Sequence, residues 1–385
     1  MTVTLASSIS SSNDAVSFGA VTLGSNVTID TNATDTTGDI TLGAVTGGSN
    51  TLTLTTENNI SNADITASGA ISGVTTLTLA SVGGTATLSG DVDVTTLSVD
   101  NTVANVAFTG NGSSVTDSFT PANDGTFVFG ASSGTQTYNG GLNTASVGST
   151  VTLNGEIESS NDAITLGAVT LGSAVTIDTD ASDTTGDITI GAVTGGSNSL
   201  TLSTGDNVAN TDISASGAIS GVTTLTLSDV GGTATLSADV DVTTFAVGST
   251  VANLAFTGNG SSVTNAVTFT NDGTLTLGQD GGTQTYNGGL TASGVGSTVT
   301  LNGTIAASDD AITFGAVTLG SNTVIDTNAA GTNTGDLTIA AVTGGSNTLT
   351  LSTEDNVANA NITASGAISG VTTLTLANVG GTATL

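Results

Sequence analysis

In the stretch GDITIGAVTGGSNSLTLST, Gly186 to Thr204, threonine and serine alternate with aliphatic side chains at both ends, around a central GGSN (Gly195 to Asn198). Alternation with a period of two is the pattern of a strand with one buried and one wet face. Glycine, serine and asparagine clusters supply turns. The segment therefore reads as short strand, turn, short strand, and β-branched residues dominate it.

The same pattern recurs at short intervals. Ile164, Ile188 and Ile213 each open an apolar group, followed by Val169, Val193 and Ile219 and then by the alternating pairs Val175/Ile177, Leu200/Leu202 and Leu225/Leu227. Successive groups are 24 and 25 residues apart (188−164 and 213−188). The next pair, Phe245/Val247, follows Leu225/Leu227 after 20 (245−225).

A longer repeat contains the short one. SSNDAITLGAVTLGS at Ser159 returns from SSNDAVSFGAVTLGS at Ser11 and recurs as ASDDAITFGAVTLGS at Ala307. Asp14, Asp162 and Asp310 are spaced by 148 (162−14 and 310−162). ISGVTTLTL begins at Ile71, Ile219 and Ile368, so the third copy has gained one residue, between Asp326 and Asp336. Residues 1–13 read as the end of a preceding repeat, 14–161 and 162–309 as full repeats and 310–385 as a partial third. The chain opens and stops in mid-repeat and looks like a piece of a longer array.

Two all-β architectures fit short strands with frequent turns: tandem β-sandwich modules, or a β-solenoid whose rungs of about 20 to 25 residues stack on one another. Resemblance between successive rungs favours the solenoid, in the form of a parallel β-helix and one continuous stack. So does a composition with 3% aromatic residues and no tryptophan, which suits a narrow interior of valine, leucine, isoleucine and alanine. Roughly 17 rungs at ~4.8 Å each give a rod on the order of 80 Å, a spacer by shape.

Charge narrows function further. The 385 residues hold 31 Asp and Glu and no Lys, Arg, His or Cys. Binding to phosphate backbones or anionic lipid heads depends on lysine and arginine, so nucleic acid and membrane surfaces are not expected partners. No stretch approaches the ~20 apolar residues of a membrane helix, so no membrane insertion is expected. Self-association, end to end or side by side, is compatible with a repeat rod. Histidine or cysteine nucleophile systems, Schiff-base lysines and arginine clamps are impossible, leaving carboxylate pairs such as Asp239/Asp241 or Asp309/Asp310 with nothing positive beside them. The expectation is a non-enzymatic chain.

The strongest ligand candidate is an acidic turn that occurs three times: Asp30, Asn32, Asp35, Asp39; Asp178, Asp180, Asp183, Asp187; and Asp326, Asn328, Asp336. Calcium takes six to eight oxygen ligands from carboxylates, amide and backbone carbonyls, which such a turn can offer. The spacing lacks the glycine and the bidentate glutamate of an EF-hand. The plain alternative is that Asp and Asn favour turns. Threonine pairs such as Thr51/Thr53 and Thr76/Thr78 would face outward from neighbouring rungs, an array that could engage ice or carbohydrate if it were regular. Ser199, Ser98 and Ala246 interrupt it.

The strings TQTYNGGL (Thr135 to Leu142 and Thr283 to Leu290) and GDITLGAVTGGSNTLTLTT (Gly38 to Thr56) resemble repeats of large secreted bacterial adhesins of the filamentous-haemagglutinin type. That resemblance implies a right-handed parallel β-helix on a bacterial surface. The N-terminal secretion domain of the family is not visible in this sequence. With no arginine, an RGD attachment motif or a heparin-binding patch cannot form in this segment. The sequence as a whole points to a structural stalk or fibre segment of an extracellular protein, or else to a binding module on a regular face.

Overall fold

Short in-register parallel ladders build the molecule, and the computed structural model describes residues 2–34, 38–57, 60–183, 185–205, 208–328, 335–353 and 359–385. No helix occurs among the described residues. The chain forms two compact units, Met1–Ala181 and Ser182–Leu385. Each is a β-solenoid whose successive coils stack their strands in three ladders. The strand pairings that join successive coils are parallel, which excludes the antiparallel sandwich alternative.

In the first unit one ladder runs Val16, Ile40, Ile65, Ala86, Val106, Phe127, Val151, Val169. A second runs Thr4, Thr22, Thr46, Ser72, Asp93, Ser114, Thr137, Glu158, Asp178. The third contains Ile9, Ile29, Leu54, Leu79 and Val99. In the second unit Ile188, Ile213, Ala234, Leu254, Leu275, Val299, Val317, Val342 and Ile368 form one such column.

The alternation in the sequence sets which side chains turn inward. Leu202 stacks on Leu227 and both are fully buried, whereas Thr201, between Leu200 and Leu202, is half-exposed. Burying such a leucine is worth about 1.5–3 kcal/mol relative to exposing it, and each coil repeats the gain. Several strands bend round a corner and serve two ladders. Val151–Glu158 pairs through Val151–Leu153 with one neighbour and through Glu156 onward with another, and Gly155 turns the corner at φ +65°.

Pro121, the chain's single proline, marks a local break. In the second copy Val267–Thr268 is a strand and the Phe269 N–H bonds to the Thr291 carbonyl at 2.8 Å. Pro121 stands at the matching position and has no N–H to give. The strand shrinks to a single bridge between Phe119 and Leu142. Phe119 fills the space, stacked on Tyr138 at 5.8 Å and edge-on to Phe127 at 5.9 Å.

The long repeat and the coil do not keep step. Val3 lies in the second ladder of the first unit, opposite Val21, while Val151, 148 residues later (151−3), lies in the first, opposite Phe127. The second unit repeats the shift on its own: Ser220 pairs with Asp241, but its later copy Ser369 pairs with Thr343 in a different ladder. One sequence repeat is a whole number of coils less one face.

Candidate functional site

The acidic turn is first of all a piece of corner carpentry. Asp30 Oδ1 accepts the N–H of Asn32 at 2.7 Å, and Asn32 sits in the left-handed region at φ +41°. The same bond links Asp180 N–H (φ +42°) to Asp178 at 2.9 Å and Asn328 N–H (φ +45°) to Asp326 at 2.9 Å. Left-handed backbone is disfavoured for residues with a Cβ, and Asn and Asp tolerate it best. The buried Thr31 between them donates to the Gly38 carbonyl at 2.6 Å, as Thr327 does to Gly335 at 2.5 Å, closing each loop from inside. Sequence reading passed over these threonines, although Asp-Thr-Asn or Asp-Thr-Asp in all three copies was the available signal.

The later aspartates of each turn act on the neighbouring coil. Asp39 Oδ1 accepts the Asp64 N–H at 2.9 Å, and Asp64 Oδ1 accepts the Thr85 N–H at 2.7 Å. In the second unit Asp187 does this for Asp212 at 2.8 Å and Asp212 for Thr233 at 2.7 Å. Asp336 holds Asn361 at 2.8 Å, and Asn361 holds Thr382 at 2.9 Å. A side-chain acceptor at the start of each strand thus continues the ladder past the last main-chain pair.

Asp178 and Asp180 belong to the first unit, Asp183 and Asp187 to the second, and Asp183 accepts both the N–H and the hydroxyl of Thr185, at 3.0 and 2.7 Å. Asp35 lies outside the described residues, as does most of the third turn between Asn328 and Gly335. Among the described residues no three carboxylates converge on a point that could hold a metal ion. Within the first unit, Asp30 stands in the Ile9 ladder and Asp178 in the Thr4 ladder, so the frame shift sends copies of one turn to different corners.

The Asp93 and Glu158 carboxyls are held above their ordinary values. Burial, with Asp91 beside it, pushes the Asp93 carboxyl up against the opposing Ser114 N–H bond. Burial also raises Glu158, the charges of Glu156, Asp180 and Asp178 add to it, and the Thr137 hydroxyl at 3.3 Å opposes. Both effects come first from burial and then from neighbouring carboxylates, with no cation to offset either.

The string TQTYNG proves to be an interior device. Gln136 and Tyr138 are fully buried; the phenol donates to Gln136 Oε1 at 2.9 Å, and Gln136 Nε2 donates to the carbonyls of Phe108 at 2.9 Å and Gly110 at 3.2 Å. Gln284 and Tyr286 repeat the arrangement on Phe256 and Gly258. The pair satisfies carbonyls inside the coil, while Thr135, Thr137 and Asn139 alternate with it on the half-exposed side.

Threonine files are longer than the sequence suggested. Thr53 stacks on Thr28 and Thr78 before Ser98 ends the run. In the second unit Thr268, Thr291, Thr313, Thr338, Thr363 and Thr384 form one outward column, which crosses copies of the repeat and so escapes a search at fixed period. It is a single file on strands of two or three residues, each of which holds one threonine.

Surface recesses open at matching corners of the two units. One in each unit is built from matching residues, with Asp93 in the first and Asp241 in the second. Asp239, which the sequence pairs with Asp241 as a carboxylate couple, accepts the Gly260 N–H at 2.7 Å. Comparison with known proteins adds no relative: no family model, no curated protein and no solved structure matches the chain.

Proposed function

We propose that this chain is a structural segment, a stalk or fibre repeat, of a large extracellular bacterial surface or filament protein. The observation that carries the reading is the run of the Thr4 ladder to Asp178, coil after coil without a gap. Each coil adds one strand spacing of ~4.8 Å, held by main-chain bonds that need neither ion pair nor disulfide. The likeness to filamentous-haemagglutinin-type repeats supports a surface setting. A net charge of −31 keeps neighbouring copies apart and soluble.

The test is a length series. Arrays of one, two and three repeats are placed between a surface anchor and an epitope tag, and tag height is read by electron microscopy. Equal increments per copy are expected; heights independent of copy number would overturn the reading. Calcium enters as a counter-ion for the acidic corners. Melting temperature in calcium should exceed that in magnesium at matched ionic strength, because magnesium sheds its waters reluctantly; identical curves would remove calcium from the proposal and leave the stalk intact.

A further inference from the structure

The recesses at Asp93 and Asp241 arise from a mismatch between successive coils. Thr46 pairs with Ser72 and Ser72 with Asp93, while Leu52 pairs with Leu77 and Leu77 with Leu97. The corner thus loses one residue per coil: 52−46 is 6, 77−72 is 5 and 97−93 is 4. The ladder absorbs each loss as a register shift, one of them between Asp93 and Val94. A long corner overhangs a shorter one and leaves a hollow beneath Gly73. The second unit repeats the steps at Thr194 to Leu200, Ser220 to Leu225 and Asp241 to Phe245, with a shift between Ser220 and Val222.

The hollows measure about 290 and about 350 Å³, at the small end of the ~300–1,000 Å³ of small-molecule sites. The first offers the Asp93 carboxylate and the hydroxyls of Thr95, Ser114 and Thr116. Ser114 Oγ accepts a bond from Asn139 Nδ2 at 3.2 Å, and Ser262 accepts one from Asn287 at 3.1 Å, so each serine's own proton is turned toward another acceptor. The lining is therefore a strong acceptor beside several groups that both donate and accept.

We propose that these two recesses bind a neutral saccharide unit, its adjacent hydroxyls donating to Asp93 or Asp241 and accepting from the threonine and serine hydroxyls beside them. With no lysine or arginine in the chain, phosphorylated, sulfated or acidic sugars are repelled. One carboxylate per recess is far short of the oxygen set calcium requires. Removing a hydrogen-bonded charged partner typically costs ~1.5–3 kcal/mol, about tenfold or more in affinity. A stalk with such recesses would hold neutral glycan chains along its length.

The experiment is saturation-transfer NMR on the full chain with a mixture of the methyl glycosides of glucose, galactose, mannose and N-acetylglucosamine, with EDTA present. Transfer to at least one glycoside is expected. It should fall about tenfold in the Asp93→Ala/Asp241→Ala variant and persist in Asp14→Ala/Asp162→Ala. Thr116→Val/Thr264→Val, which keeps the shape of the recess, should weaken it while leaving the circular dichroism spectrum unchanged. Absence of transfer to all four glycosides, or equal transfer in the Asp93/Asp241 variant, would overturn the proposal without touching the stalk reading.

Discussion

Glu158 lies opposite Thr137 in the ladder that begins at Thr4, whereas Ser10, its counterpart 148 residues earlier (158−10), lies opposite Asp30 in another ladder. Seven steps along the ladder from Thr4 lead to Glu158 and not to Thr152, which the sequence repeat matches to Thr4. Motifs written once per repeat are thereby distributed over different faces within a unit. Within a unit, copies of one motif that lie a full repeat apart therefore stand on different faces; the threonine column of the second unit exists because different parts of the repeat supply threonine in turn.

The inward alternation can be checked at adjacent positions. Leu202→Asp places a carboxylate among Leu200, Leu225 and Leu227 with no cation to pair it, and should cost more than the ~3 kcal/mol typical of Leu→Ala. Thr201→Asp, on the wet side of the same strand, should cost less than about 1 kcal/mol. Urea melts that move by equal amounts for the two variants would contradict the assignment of faces.

The corner at Gly155 should reject any side chain. Its φ is +65°, and a Cβ there would meet the Ala131 carbonyl oxygen at 2.3 Å and that of Gly134 at 2.5 Å. Gly155→Ala should destabilise by about 2 kcal/mol or more, the left-handed penalty plus displacement of backbone. Gly167, with nothing within 4 Å of such a Cβ, provides the control and should accept alanine with little change. Thermal denaturation of the two variants side by side decides the point.

Mild acid should stabilise the protein. The folded state holds the proton of Glu158 more tightly than the unfolded chain does, because its carboxyl is raised above 4.5 by burial and by neighbouring acids. Ionisation therefore works against folding, and stability rises as pH falls through the raised value toward 4.5. Relief of the overall charge of −31 has the same sign. Melting temperature should climb between pH 7 and pH 4.5, and less steeply in Glu158→Gln; a fall over that interval would count against the assignment.

Strong base should act in the opposite sense. Burial raises both Tyr138 and Tyr286 above the ordinary 10.0 of a phenol. The unfolded chain loses these protons first, so stability declines as pH rises past 10. Absorbance of the phenolate at ~295 nm should appear together with loss of the β-sheet circular dichroism signal, not before it. Ionisation of either tyrosine in a fully folded chain would show that the Gln136 or Gln284 pocket is open to water.

Much of this architecture is decided by local chemistry. Alternation in SLTLST fixes which face of each strand turns inward, because side chains on a strand point to opposite sides in strict succession. Turn residues between the short runs fix the coil, and Pro121 fixes the break, since a missing N–H is a property of one residue. Only the tertiary structure decided which strands stack. The sequence advertises its 148-residue repeat, but ladder partners follow from the number of residues each corner consumes, and corners lengthen and shorten from coil to coil. That sum set Asp30 and Asp178 in different ladders, lined up Thr268 with Thr384, and opened the hollow beneath Gly73. The double role of the aspartates was hidden for a similar reason. Asp39 serves as acceptor to a residue 25 positions later, Asp64, and that contact exists only once one coil rests on the next.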